Sequence, residues 1–169
     1  MDIKNSYYIK LSLIVLFINL ILDRVTKILA THYLEGKEMI SLFYNTVVLK
    51  FTENTGAFLS AGSDWSDGIK YPFLIIAPLF ACLYGLYYAT FKIKDRKLLI
   101  VVVTIIAGGL GNLIDRIFNN FHVVDFLNFG IGPVRTGIVN VADMSVTFGV
   151  IYLLYYQFKT NKKRTEKSN

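Results

Sequence analysis

The stretch "YPFLIIAPLFACLYGLYYATF", Tyr71 to Phe91, decides the fold. It carries no charged side chain from end to end. An α-helix rises 1.5 Å per residue, so about 20 apolar residues cross the ~30 Å hydrocarbon core of a bilayer. A helix packed on a soluble domain keeps a charged, solvated face, and this one has none. The run predicts a membrane-spanning helix.

Three more runs extend that reading. "YYIKLSLIVLFINLIL", Tyr7 to Leu22, continues past Asp23 toward Ala30. "LLIVVVTIIAGGLGNLI" covers Leu98 to Ile114, and "IVNVADMSVTFGVIYLLYYQF" covers Ile138 to Phe158. Each reaches spanning length once its polar end is included. The 169-residue chain is 54% hydrophobic and 18% charged, against about 25% charged in soluble domains. The expected architecture is an all-α membrane protein: a four-transmembrane-helix bundle with a small extracytoplasmic β-rich platform. It forms one integral-membrane domain over residues 1–169.

Charge sets the orientation. Lys4 and Lys10 precede helix 1, "KIKDRK" (Lys92 to Lys97) joins helices 2 and 3, and "KTNKKRTEK" (Lys159 to Lys167) follows helix 4. Positive charge accumulates on the cytoplasmic side, so both termini are expected in the cytoplasm. Residues 159–169 then read as a solvated basic cytoplasmic tail. The net charge of +6 flanks apolar runs instead of covering one face, which argues against a nucleic-acid partner. Helix 1 lacks a small-residue cleavage site and is not expected to be a removable signal peptide. No cysteine near the N-terminus is placed to take a lipid. The single cysteine, Cys82, lies inside an apolar run and reads as packing.

Two segments, about 32–70 and about 116–139, remain outside. "NTVVLKFT", Asn45 to Thr52, is rich in β-branched residues and reads as a strand. "NTG" (Asn54 to Gly56) and "SDWSDG" (Ser63 to Gly68) read as turns. The first segment is the expected β-rich platform, resting on the outer leaflet.

The polar residues inside the spans converge in depth. Asp23 is 13 residues past Lys10, roughly 20 Å along the helix, which puts it in the outer half. Lys27 follows at i+4 on the same face, so a structural ion pair is expected. Gly108, Asn112 and Asp115 share a face of helix 3, and the glycine marks that face as a close helix contact. Arg116 is able to pair with a carboxylate or reach the headgroups. Asn140 fits the N-cap of helix 4 with Asp143 in its first turn, where the helix dipole favours an acid. Asp125 alone would read as a loop residue. Ionisable groups in a membrane protein point to function by default.

The chemistry is narrowed by what is missing from the sequence. It has no H-E-x-x-H, no Cys/His cluster, no G-x-S-x-G and no P-loop. No metal and no cofactor are expected, although carboxylates alone are able to hold Mg²⁺ or Ca²⁺. A Ser145–Lys27 couple has no motif behind it. Two aspartates held close share a proton: one activates water as a base while the other polarises a carbonyl. At a membrane-surface site the natural substrate is a peptide bond beside another chain's membrane segment.

"DRVTK" (Asp23 to Lys27), "NTGAF" (Asn54 to Phe58), "GGLGNLIDR" (Gly108 to Arg116), "VVDF" (Val123 to Phe126) and "NVAD" (Asn140 to Asp143) occur in this order. Together they resemble the motif set of the lipoprotein signal peptidases, or signal peptidase II, across nearly the whole chain. The resemblance implies a multi-pass aspartic endopeptidase of the bacterial inner (cytoplasmic) membrane. Such an enzyme removes the signal peptide of a prolipoprotein on the N-terminal side of a diacylglyceryl-modified cysteine, with no cofactor. Motif by motif it implies a catalytic pair, Asp125 and Asp143, with Asn54, Gly56, Asn112, Asp115, Arg116, Asn140 and Ala142 binding substrate or supporting the pair. It also implies contact with membrane lipids, inhibition by globomycin-type peptides, and a monomer. Arg24 stands where the family usually has Gln, Phe58 where alanine is common, and Val139 where Phe commonly precedes the asparagine. Two other readings of the same acids remain open: an ion- or proton-coupled small transporter, and a scaffold with polar interhelical contacts.

Overall fold

A computed structural model describes residues 3–57 and 60–168, with backbone alone for residues 3, 4 and 162–168. Phe58, the Lys4 side chain and the basic side chains from residue 162 onward lie outside the described residues. The described chain is mostly helical, with a small antiparallel sheet. Helix α1 spans Ile3–Leu34. Helix α2 spans Asp67–Lys92 and contains a π turn at Tyr71–Ile76, where the Ala77 N–H reaches back five residues to the Pro72 carbonyl. Helix α3 spans Arg96–Phe118, and helix α4 spans Val141–Ser168. Among the described residues, α2 and α3 are long and apolar enough to cross a membrane, with mean hydropathy 1.7 and 2.2. This is consistent with a membrane protein.

At one end of the helices the α2–α3 connection is tied down by tyrosines. Tyr8 of α1 donates to the Lys94 carbonyl at 2.7 Å, and Asp95 caps α3 by accepting from Leu98 N. The core between α1, α2 and α3 is apolar: Tyr8, Leu16, Ala89, Leu99, Val103, Ile106 and Ala107. Helix α3 meets α4 at two glycines. A Cβ on Gly108 would overlap the Ala142 carbonyl oxygen, and one on Gly149 would overlap Ile105 Cγ1. Small residues let helix backbones approach where no hydrophobic drive operates between them.

At the other end lies a four-stranded antiparallel sheet in the order β1-β2-β3-β4, with β1 Ile40–Leu42, β2 Val47–Asn54, β3 Val123–Ile131 and β4 Val134–Arg135. The sheet is therefore assembled from both connecting segments, whereas the sequence pointed to strands in the first alone. Asp125 sits on a strand paired with Thr52, not in a loop. Two more boundaries differ from expectation. Asp67 and Gly68 start α2 instead of closing a turn, and the α4 backbone stays helical through the basic tail to Ser168. The sheet packs on α1 through Ala30, Leu34, Val124 and Phe126.

Two local features aim the sheet at the helices. Between Leu49↔Leu127 and Thr52↔Asp125 the β2 strand carries one extra residue, a bulge that bends the strand and re-aims its side chains. Past β4, Val139 N donates to the Leu127 carbonyl at 2.7 Å and its own carbonyl accepts from Leu127 N at 2.8 Å. That pairing delivers the next residue, Asn140, beside Asp125 at the head of α4.

Candidate active site

Asn140 starts α4 with a reciprocal cap. Its Oδ1 accepts from Asp143 N at 2.9 Å, and Asp143 Oδ2 accepts from Asn140 N at 3.2 Å. Two of the N–H groups that a helix start leaves unpaired are satisfied this way. The other side of the Asn140 amide is spent on the sheet and on α3. Its Nδ2 lies 2.6 Å from Asp125 Oδ1 and 3.1 Å from Asn112 Oδ1. Asn140 is fully buried, so these contacts replace water rather than compete with it. Asn112 Nδ2 donates to the second Asp143 oxygen at 2.7 Å. Asp125 Oδ2 takes the Asn54 amide at 3.3 Å, and Asn54 also shapes the next turn by accepting from Gly56 N.

Asp125 and Asp143 line one cleft of about 190 Å³ with Asn54, Asn112 and Arg116. Val139, Val146 and Thr147 add apolar wall, and Arg116 Nη2 holds the Asn54 turn through the Gly56 carbonyl at 2.8 Å. A larger apolar groove of about 510 Å³, lined by Phe129, Met144 and Phe148, shares Val139, Asp143 and Thr147 with the cleft. Asp125 is buried on β3. Burial first, and then the charge of Asp143, push its carboxyl up to about 7; the amides of Asn54 and Asn140 and the charge of Lys27 oppose the shift. A carboxyl with that value is able to hold a proton at neutral pH.

Behind the cleft lies a charged cluster. Lys27, 1% exposed, ion-pairs with Asp23 Oδ2 at 2.8 Å and Asp115 Oδ2 at 2.7 Å and donates to Asn112 Oδ1 at 3.0 Å. Buried ions are tolerated when opposite charges offset them, and here Lys27 stands between two carboxylates, with Asp115 Oδ2 held by the ion pair and by no hydrogen bond among the described residues. Asp23 Oδ1 accepts from Ala142 N at 3.0 Å, which ties α1 to the first turn of α4. Gly111 makes room for that carboxylate, since a Cβ there would lie 2.8 Å from Asp23 Oδ2.

A family model described as Signal peptidase (SPase) II matches residues 15–159. The chain belongs to the signal peptidase II family. The lipoprotein signal peptidase of Borreliella afzelii is 32% identical over 168 residues, covering 96% of this chain and 98% of that one. That of Borrelia turicatae is 34% identical over 161 residues, covering 92% and 91%. Two solved structures, each described as a bacterial membrane enzyme, are also similar. One has TM-score 0.75 at 25% identity over 90% of both chains; the other has TM-score 0.74 at 26% identity over 88% of this chain and 92% of that one.

In this signal peptidase II chain the residues singled out from sequence fall into two groups. Asn54, Asn112, Arg116, Asp125 and Asp143 line the cleft, and Asn140 joins the two aspartates from behind. Asp23, Lys27 and Asp115 form the charged cluster; Gly56 and Ala142 contribute backbone groups. Asp115 thus meets Lys27 and Arg24 instead of lining the cleft. Ser145 bonds to Asn19 at 3.2 Å and not to Lys27. Among the described residues no group of three His, Cys, Asp or Glu is placed to hold a metal ion. Sequence reading missed the walls Val146 and Thr147, although both stand one helical turn from Asp143, and it noted Arg24 only as a departure.

Proposed function

We propose that this signal peptidase II chain hydrolyses the peptide bond N-terminal to a diacylglyceryl-modified cysteine, releasing the signal peptide of a prolipoprotein, with Asp125 and Asp143 as the catalytic pair. The observation that carries the proposal is the shared cleft: two carboxyls far apart in sequence face one space, and the buried Asn140 donates to both, its side-chain amide to Asp125 and its backbone N–H to Asp143.

In the proposed cycle the pair enters with one proton, held by Asp125. Asp143 takes a proton from water as the oxygen attacks the scissile carbonyl, and Asp125 gives its proton to the carbonyl oxygen. A gem-diol results. Its collapse breaks the C–N bond, the amine takes the proton from Asp143, and a hydroxyl proton returns to Asp125. Arg116 Nε, buried and without an acceptor among the described residues, is a donor available to a substrate carbonyl. The adjoining apolar groove suits a membrane-embedded segment arriving from the side.

The same reading places all four helices across the bacterial inner membrane, with both termini cytoplasmic and the sheet on the extracytoplasmic face. Apolar side chains exposed along α1 (Phe17, Ile21, Ile28) and α4 (Phe148, Ile151, Leu154) support lipid contact for these two helices as well. The chain would act as one monomeric domain, with residues 159–169 on the cytoplasmic side, and globomycin-type peptides would occupy its cleft. The transporter reading falls with family membership, and the acids gather at one end of the bundle instead of along a path.

The test uses purified protein with a diacylglyceryl-modified and an unmodified prolipoprotein. Cleavage of the modified substrate alone is expected. Equal cleavage of both would remove the lipid from the recognition; cleavage of neither by a folded protein would overturn the reaction.

A further inference from the structure

Asp115 carries two cations. Its Oδ1 takes Arg24 Nη2 at 2.5 Å and its Oδ2 takes Lys27 Nζ at 2.7 Å. The carboxylate is 3% exposed and the Arg24 side chain 41% exposed, so the arginine reaches the buried acid from the rim. Lys27 also donates to Asn112 Oδ1 at 3.0 Å, and Asn112 Nδ2 donates to Asp143 Oδ1 at 2.7 Å. An unbroken line of contacts therefore runs from Arg24 to Asp143, no link longer than 3.0 Å.

The formal charges on that line matter because little water reaches it. Asp23 and Asp115 each contribute −1; Lys27 and Arg24 each contribute +1; the sum is zero. Without Arg24 the cluster is −1, and Asp115 has Lys27 as its remaining ion-pair partner. The ammonium would then be drawn toward its two acids and away from Asn112, already its longest contact.

We propose that Arg24 is a positioning residue for the aspartic pair: by balancing Asp115 it leaves Lys27 in contact with Asn112, and so fixes Asp143 and the field in which the pair shares its proton. This rests on the catalytic reading above. The charged groups facing the pair are Asp23, Arg24 and Lys27 from α1 and Asp115 and Arg116 from α3. The sheet contributes Asp125 itself and the neutral Asn54, while Lys50 and Glu53 of β2 are exposed to solvent.

The experiment is a pH–rate series on the full chain with lipidated prolipoprotein. Arg24→Gln removes a positive charge, which favours protonated carboxyls, so the bell should move toward higher pH. Solvent screening of the half-exposed arginine limits the move to about half a pH unit. kcat should fall about tenfold with KM changed less than about twofold, short of the hundredfold that a full ångström of misplacement costs. Arg24→Lys keeps the charge and should return the bell to its wild-type position. Asp115→Asn removes a negative charge and should move it the opposite way, which keeps the proposal testable if Arg24→Gln does not fold. A superimposable Arg24→Gln profile, an Arg24→Lys profile displaced as far as that of Arg24→Gln, or an Asp115→Asn bell at higher pH would each overturn it. Asp125→Asn serves as the control. If it stays active the catalytic reading fails; if it is dead while the Arg24 profiles coincide, this inference alone fails.

Discussion

Asn140 and Asp125 meet at 2.6 Å, the amide Nδ2 against the carboxyl Oδ1, where the head of α4 touches the first part of β3. The same asparagine caps α4 through Asp143 N. One side chain thus sets the position of both aspartates and starts a helix. Asn140→Ala should cost about 1 kcal/mol for the cap and a further 1–3 kcal/mol, roughly, for the buried acid left without its donor. Activity should fall at least about a hundredfold. Thermal unfolding in detergent and a cleavage assay check both; a variant with activity within about threefold of wild type would remove Asn140 from the account.

The position of Asp125 near 7 has a kinetic consequence. Below that value Asp125 keeps the shared proton; above it the proton is lost and the pair becomes doubly ionised. Cleavage should therefore decline as pH rises through about 7. A kcat/KM profile against pH tests this. Activity still climbing well beyond pH 8 would contradict it.

The same shift links to stability, and its sign is opposite to that of an ordinary salt-bridged acid. A carboxyl raised from 3.8 to about 7 in the folded state binds its proton more tightly folded than unfolded. Its stabilising share is complete below pH 4 and lost as pH rises toward 7, at up to about 1.4 kcal/mol per pH unit. Asp125→Asn does not titrate there. The melting temperature of the variant minus that of wild type should therefore grow between pH 4 and 7 and then level off. A flat difference across that range would show that Asp125 titrates normally.

The close crossing of α3 and α4 gives a packing prediction. Gly108→Ala drives a methyl into the Ala142 carbonyl and to 2.9 Å from Val146 Cγ2. A clash against backbone should cost about 1–3 kcal/mol and shift the first turn of α4. Gly68→Ala, with nothing within 4 Å of its new Cβ, serves as the control and should change stability by less than about 0.5 kcal/mol. Melting curves of the two variants decide.

The helices were legible because their signal is local. Charge-free runs of spanning length and an Asn-x-x-Asp helix start need no knowledge of distant residues, and Asp23–Lys27 at i+4 formed the pair its spacing implied. The sheet was half legible. β2 announced itself by β-branched residues, but β3 holds the buried "VVDF", whose pairing with β2 joins residues some 70 positions apart along the chain and leaves no local trace. Asp125 looked like a loop residue for that reason. Asp115 and Arg24 meet across two helices, a contact that motif spacing does not encode. The bridging by Asn140 depends on the Val139–Leu127 pairing and was equally invisible.

The most direct test is single-turnover cleavage of a diacylglyceryl-modified prolipoprotein by Asp125→Asn, Asp143→Asn and the double variant, each shown to be folded by its melting curve. If the two carboxyls act as one unit, each single variant should lose at least about a thousandfold in rate, and the double variant should be no worse than the more damaged single one. Either single variant cleaving within about tenfold of wild type, or losses that multiply in the double, would contradict the shared-proton pair.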